Sequence, residues 1–216
     1  RLYGLNNPVA DWHSWRQADT ASVSKTYLSE GINLLYPRYH DISSIQTGIF
    51  NPHGYRFVEF PVFNALHVFF ARILPVEFDS AGRLVSIVAS LVSTYLLYLI
   101  GKRFIGRFGA ILSAFFFAFL TYNIYFTRVI LPEPLATTLA LGGIWIFVRF
   151  IDSLKDWQLF LSGALFALAL LVKPFTIFYL VPVIYLLMTR FKLKDLLTRS
   201  KLLIKFLLFL NIILVP

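Results

Sequence analysis

The chain has 216 residues, of which 58% are hydrophobic and only 14% charged, with a mean hydropathy of +0.71. A soluble domain carries roughly 25% charged residues, so water is excluded as the main solvent. The formal charge of +9 resembles a nucleic-acid signature, and the absence of cysteine excludes disulfides and thiolate metal sites.

The polar chemistry is concentrated at the N-terminal end. Asp11-Trp-His-Ser-Trp-Arg-Gln-Ala-Asp19 leads into a predicted helix, Thr20 to Leu28, which Asp11 can cap and Glu30-Gly31 ends. Gly31 to Tyr55 is rich in Pro, Gly, Asn, Tyr and Ser and reads as a loop, and long loops of this kind are often functional. Gly54-Tyr-Arg-Phe-Val-Glu59-Phe-Pro61 then introduces an apolar stretch, Phe60 to Val76, that contains Asn64, His67 and Arg72 between Pro61 and Pro75. As a span it would reverse the register of everything after it. An interfacial helix, apolar side down, is predicted instead.

Downstream the apolar residues cluster. Leu84 to Ile100 and Phe108 to Thr127 hold no charged side chain, and Val129 to Val148 holds only Glu133. Trp157 to Val172 and Pro174 to Thr189 are shorter, and Phe206 to Pro216 reaches the end of the sequence. Crossing a bilayer takes about 17–25 apolar residues. The expectation is an all-α polytopic membrane protein: residues 1–82 a first external loop with interfacial helices, 83–216 a bundle of about five spans, the last truncated. Arg1 is not a start residue, so the chain reads as a fragment.

The cations alternate along this bundle. Lys102, Arg103 and Arg107 share one connection, Arg149 and Lys155 the next but one, and Arg190, Lys192, Lys194, Arg199, Lys201 and Lys205 a third. The intervening connections hold only Arg128 and Lys173. That pattern obeys the positive-inside rule. It makes the basic excess a topology signal, and nucleic acid is not an expected partner. Residues 1 to about 82, Arg128 to Glu133 and Lys173 then fall on the non-cytoplasmic side, together with eight of the 11 acids and all four histidines.

These residues suit catalysis at a membrane surface. Asp11, Asp19 and Glu59 can act as a base or hold a metal. Arg16, Arg56, Arg83 and Arg128 can grip a phosphate as planar forks. Trp12, Trp15, Tyr27, Tyr36, Tyr39 and Tyr55 can stack on a sugar or rest among headgroups. Plainer readings compete: Asp19 paired with Arg16 one turn back, the tryptophans as an interfacial belt, Glu59 as a solvated loop acid. Glu133, between two prolines at the end of an apolar run, needs a partner or a task, and Arg128 is the natural partner. Lys173 stands at an outer corner before Pro174, where snorkelling is its plain role.

In order and spacing these features resemble a GT-C glycosyltransferase, of the branch of protein O-mannosyltransferases and bacterial aminoarabinose transferases. Asp11 to Gly31 matches the first external-loop helix and Glu59-Phe-Pro61 the approach to an interfacial helix. Ala81-Gly-Arg83 matches the opening of a span, Arg128 to Pro134 the second external loop, and Lys173-Pro174 a later corner. The resemblance implies transfer of a sugar from a polyprenyl- or dolichyl-phosphate donor to an acceptor hydroxyl, with inversion. It also implies a base early in the first loop and, in some relatives, a divalent metal near the position of Glu59. Where the family often has Asp-Glu, this sequence has Arg16-Gln17. The base is then expected at Asp19, with Asp11 and His13 next, and donor phosphate contacts at Arg16, Arg56, Arg83, Arg128 and Lys173. Membrane lipids are expected neighbours, and the location an integral membrane, the bacterial inner membrane before the endoplasmic reticulum. A transporter or lipid-linked sugar flippase, a membrane scaffold and an oligosaccharide ligase are the alternatives.

Overall fold

A computed structural model describes residues 1–9, 12–44, 48–191 and 200–214, with no side-chain detail at 200–202. Asp11, Lys192, Lys194 and Arg199 lie outside the described residues. Among the described residues there is no strand, only an antiparallel bridge between Arg38 and Tyr55. The elements are α1 (Ser14–Glu30), α2 (Val62–Ile73), α3 (Phe78–Phe104), α4 (Gly106–Phe119), α5 (Thr121–Phe126), α6 (Glu133–Ser153), α7 (Asp156–Val172), a 3₁₀ segment (Pro174–Tyr179), α8 (Leu180–Arg190) and α9 (Ser200–Leu214). The all-α membrane class stands.

The described helices qualify as spans less often than expected. α3, with 27 residues, and α6, with 21, have the length and hydropathy to cross a bilayer. The other apolar helices run 10–17 residues. At 1.5 Å per residue the 14 residues of α4 reach only about 21 Å. The apolar run Phe108 to Thr127 breaks at Leu120, which is extended (φ −61°, ψ 128°). Pro174 drives the next element into 3₁₀ geometry, whose larger rise carries Pro174–Arg190 to roughly 28 Å.

The chain divides into two compact units. The first comprises Arg1–Ser90 with Leu120–Leu135, and the second Leu91–Phe119 with Ala136–Pro216. The segment Leu120–Leu135 therefore groups with the N-terminal segment, and the boundary expected at residue 82 falls inside α3.

In the first unit, α1 is longer than predicted. Its N-cap is His13, in the left-handed region (φ 59°), with no side-chain cap; the capping expected of Asp11 lies outside the described residues. Gly31 ends it as expected: at φ 100° its N–H donates to the Tyr27 carbonyl, a conformation open to glycine. The buried side of α1 is mostly polar, including Gln17, Asp19, Thr20 and Ser24. Thr20, Ser24 and Thr26 turn their hydroxyls back to carbonyls one turn earlier. Asn64 of α2 donates to the Thr20 carbonyl at 2.7 Å and to Ser24 Oγ at 3.0 Å, which fastens the two helices. Ala21, Phe63, Val85 and Ile130 form an apolar core beside them. α2 has 12 residues, about 18 Å, too short to cross. It buries Phe63, Asn64, His67 and Val68 and exposes Phe69 and Ile73.

In the second unit, Ala140, Ile144, Phe147, Phe150, Phe166, Phe206 and Phe209 form one apolar core drawn from α6, α7 and α9. Gly106, at φ 74°, turns the chain from α3 into α4, and Gly101 lets the two backbones close: a Cβ there would lie 2.9 Å from Ala110 Cα. Arg103 pairs with Asp152 at 2.9 Å and Lys205 with Asp156 at 2.7 Å, all of them exposed.

Candidate functional site

Three segments of the first unit converge on the start of α1. Gln17, fully buried, donates from Nε2 to the Trp12 carbonyl and accepts the Ile130 N–H at Oε1, 3.2 Å away in each case. Ser86 of α3 donates to the Val129 carbonyl at 2.6 Å. Tyr125 donates its hydroxyl to the Trp12 carbonyl at 2.8 Å, and Arg1 Nε donates to Thr127 at 2.8 Å. The second loop is thereby bound to α1 and α3 through backbone groups. Its register is fixed before any charge is considered.

On this frame the charges pair in a way the sequence did not indicate. Arg16 Nη2 bonds Glu59 Oε1 and lies 3.8 Å from Glu133 Oε1. Arg56 Nη1 holds Asp19 Oδ2 at 3.1 Å and lies 5.0 Å from the centre of the Tyr39 ring. Arg16 and Asp19 therefore take partners about forty residues away rather than each other. Arg128, expected to partner Glu133, donates to the Tyr3 carbonyl and stands over the Tyr3 and Tyr125 rings. The Asp19–Arg56 pair is shielded, with side chains 13% and 11% exposed, whereas Glu133 is 36% exposed. Burial, then the charge of Asp41, pushes the Tyr39 phenol up, against the pull of Arg56.

Other expected residues fall elsewhere. Arg83 is 3% exposed and donates to the carbonyls of Gly4, Leu5, Asn7 and Pro8. In place of a phosphate it clamps the N-terminal loop onto α3. Lys173 is buried in the second unit, where its backbone ends α7 and its carbonyl accepts from Thr176. Asp11 lies outside the described residues. His13 packs against Trp12 and Phe126. Trp12 and Trp15 are exposed, and Tyr27 and Tyr39 are buried. Gln17, Asn64 and Ser86 were not anticipated as organisers. The polar stripe Gln17, Thr20, Ser24 at helical spacing was the signal for the first two.

The metal expected near Glu59 meets a guanidinium there. Hard divalent ions take about six oxygen ligands. Among the described residues, no group of three or more His, Asp and Glu side chains is placed to hold one. These residues do not fit a metal as arranged.

A family model described as dolichyl-phosphate-mannose-protein mannosyltransferase matches residues 58–216. The chain belongs to this family. It is a GT-C-type membrane glycosyltransferase, and the transporter and scaffold alternatives fall away. The match takes in Glu59, α2, the second loop with Glu133, and Lys173, while α1 precedes it. No curated protein and no solved structure matched the chain.

Proposed function

We propose that the protein moves a sugar from a polyprenyl- or dolichyl-phosphate donor to an acceptor hydroxyl on the non-cytoplasmic face, with inversion. The observation that carries this reading is the meeting of Arg16, Glu59 and Glu133 at the start of α1. The family description names a lipid-phosphate-linked mannose, and such a donor keeps its phosphate at the interface. The acceptor oxygen attacks the anomeric carbon as the bond to the donor phosphate breaks. The hydroxyl proton passes to a carboxylate, and the lipid phosphate leaves with the bonding electrons. In this reading Arg16 and Arg128 stabilise the charge that develops on it. Glu59 holds Arg16 in position.

Among the described carboxylates, Glu133 is the base the geometry favours. A general base must come within hydrogen-bond reach of the proton it removes. Asp19, the first choice on sequence, is shielded and held by Arg56. The test is sugar transfer by full-length protein in lipid with Glu133→Gln and Asp19→Asn. Glu133→Gln is expected to lower turnover about 10²–10⁴-fold with expression intact. A larger loss with Asp19→Asn, and a near-active Glu133→Gln, would return the role to Asp19. Chelators are expected to leave turnover unchanged because Glu59 is committed to Arg16. Loss on chelation with recovery on added Mg²⁺ or Mn²⁺ would make Glu59 a metal ligand.

A further inference from the structure

The end of α1 forms a second polar feature, separate from the start. Thr26, Tyr27, Glu30, Gly31, Asn33, Tyr36, Arg38 and Tyr55 line a cleft of about 330 Å³. That volume lies at the low end of the roughly 300–1,000 Å³ range of small-ligand sites. Glu30 stands 14 residues after Arg16, about 21 Å along the helix axis, so the cleft is not the transfer site.

Its walls are fixed in advance. The Tyr27 hydroxyl donates to the Asn33 carbonyl at 2.5 Å, and burial pushes that phenol up to about 12, so it stays a neutral donor. Asn33 Oδ1 accepts the N–H groups of Leu35 and Tyr36, at 3.2 and 3.1 Å. Across the cleft, the Tyr39 N–H donates to the Gly54 carbonyl and the Arg56 N–H to the Pro37 carbonyl, at 2.9 Å each. These bonds hold Arg38 opposite Tyr55.

The lining has a definite chemistry. The Tyr36 and Tyr55 rings lie 6.0 Å apart at 56°, and Tyr36 is 57% exposed. Glu30 and Arg38 pair at 3.3 Å, so acid and base cancel and no net charge is left to select an ion. The pair still offers a planar acceptor and a planar fork of donors. Asn33 adds an amide nitrogen. At Gly31 a Cβ would meet nothing within 4 Å, so this side of the cleft is open. Hydroxyls that both donate and accept, on a ring with apolar C–H faces, match this set. A phosphate or a carboxylate does not.

We propose that the cleft binds a neutral saccharide, with a sugar ring against Tyr36 and Tyr55 and its hydroxyls on Glu30, Arg38 and Asn33. The site does not depend on the transfer reading above, and a binding assay without donor isolates it. The probes are mannobiose and maltose, with mannose 6-phosphate and glucuronate as anionic counterparts, read by saturation-transfer NMR on full-length protein in lipid nanodiscs. Neutral disaccharides are expected to bind. Tyr36→Ala and Tyr55→Ala should each weaken them about tenfold. Tyr36→Phe should retain binding, and the double substitution Tyr36→Ala, Tyr55→Ala should lose it. Glu133→Gln should bind as wild type does. Absence of transfer to any neutral probe would overturn the proposal. So would binding that survives the double substitution Tyr36→Ala, Tyr55→Ala, or preference for the anionic probes.

Discussion

In the first unit the buried positions include Gln17, Thr20, Asn64, His67, Arg83 and Ser86, each directed at a backbone or hydroxyl partner. In the second, the core around Phe147, Phe150, Phe166 and Phe209 is apolar and depends on shape. The contrast follows from the two solvents. Lipid tails are as apolar as leucine, so helices there associate by close packing. Polar loops must be given one geometry, and directional bonds do that. A site on the first unit is thus positioned by hydrogen bonds, whereas the second unit is held by close packing.

Substitutions can break this comparison. The largest effect on stability is expected from Arg83→Met, which removes a guanidinium shared by four carbonyls; Gly4 keeps the Asn7 N–H and Leu5 the Ser80 hydroxyl, while Asn7 and Pro8 lose this donor. A loss of about 3 kcal/mol is expected in chemical unfolding of the detergent-solubilised protein, with activity lost as the N-terminal loop detaches. A loss under 1 kcal/mol would show that the loop holds without this clamp.

Two glycine substitutions sharpen the contrast. A Cβ on Gly82 would lie 2.6 Å from the His67 ring, and one on Gly143 would lie 2.8 Å from the Phe166 ring. His67 Nε2 is bonded to the Phe78 carbonyl at 2.8 Å and its ring is stacked on Phe78, so it cannot yield without losing both. Phe166 can shift against neighbours of its own kind. Gly143→Ala is expected to cost about 1–3 kcal/mol, and Gly82→Ala more. Thermal scans that gave the opposite order would remove the distinction between polar and apolar anchoring.

A smaller effect concerns acid. Burial, opposed by the Phe78 carbonyl and the charge of Asp79, holds the His67 imidazole below its ordinary 6.5. Above 6.5 the ring is neutral in folded and unfolded chains alike, and its contribution is whole. As pH falls below 6.5 the unfolded chain binds the proton first, and stability drops until the folded ring is protonated too. The melting temperature should therefore decline below 6.5, and His67→Gln should flatten that slope. The smallest effect is expected in the second unit: Asp152→Asn, which breaks the exposed pair with Arg103, should leave the melting temperature unchanged within error.

Much of the fold was legible because its signals are local. Gly31 ending α1, Pro61 before α2, the Arg128–Pro134 loop and the Lys173-Pro174 corner all depend on near neighbours. Charge partners were not legible. Arg16 had an acid three residues on, and Glu133 an arginine five residues back, yet both pairings gave way to contacts set by where α2 and the second loop dock. The docking itself comes from Gln17, Asn64 and Ser86, uncharged residues whose sequence context does not show which carbonyl they will meet. Hydropathy does not register the interruption at Leu120 or the shortness of α4.

Four of the arginines of the first unit divide by what they hold, and salt separates them. Arg83 and Arg128 grip neutral carbonyls, which mobile ions do not screen, whereas Arg16 and Arg56 grip carboxylates. Rising ionic strength should therefore reach first the contact of Arg16 with the more exposed Glu133, while the shielded Arg56–Asp19 pair and the carbonyl clamps stay shut. The enzyme would become slack at its working end without becoming less folded.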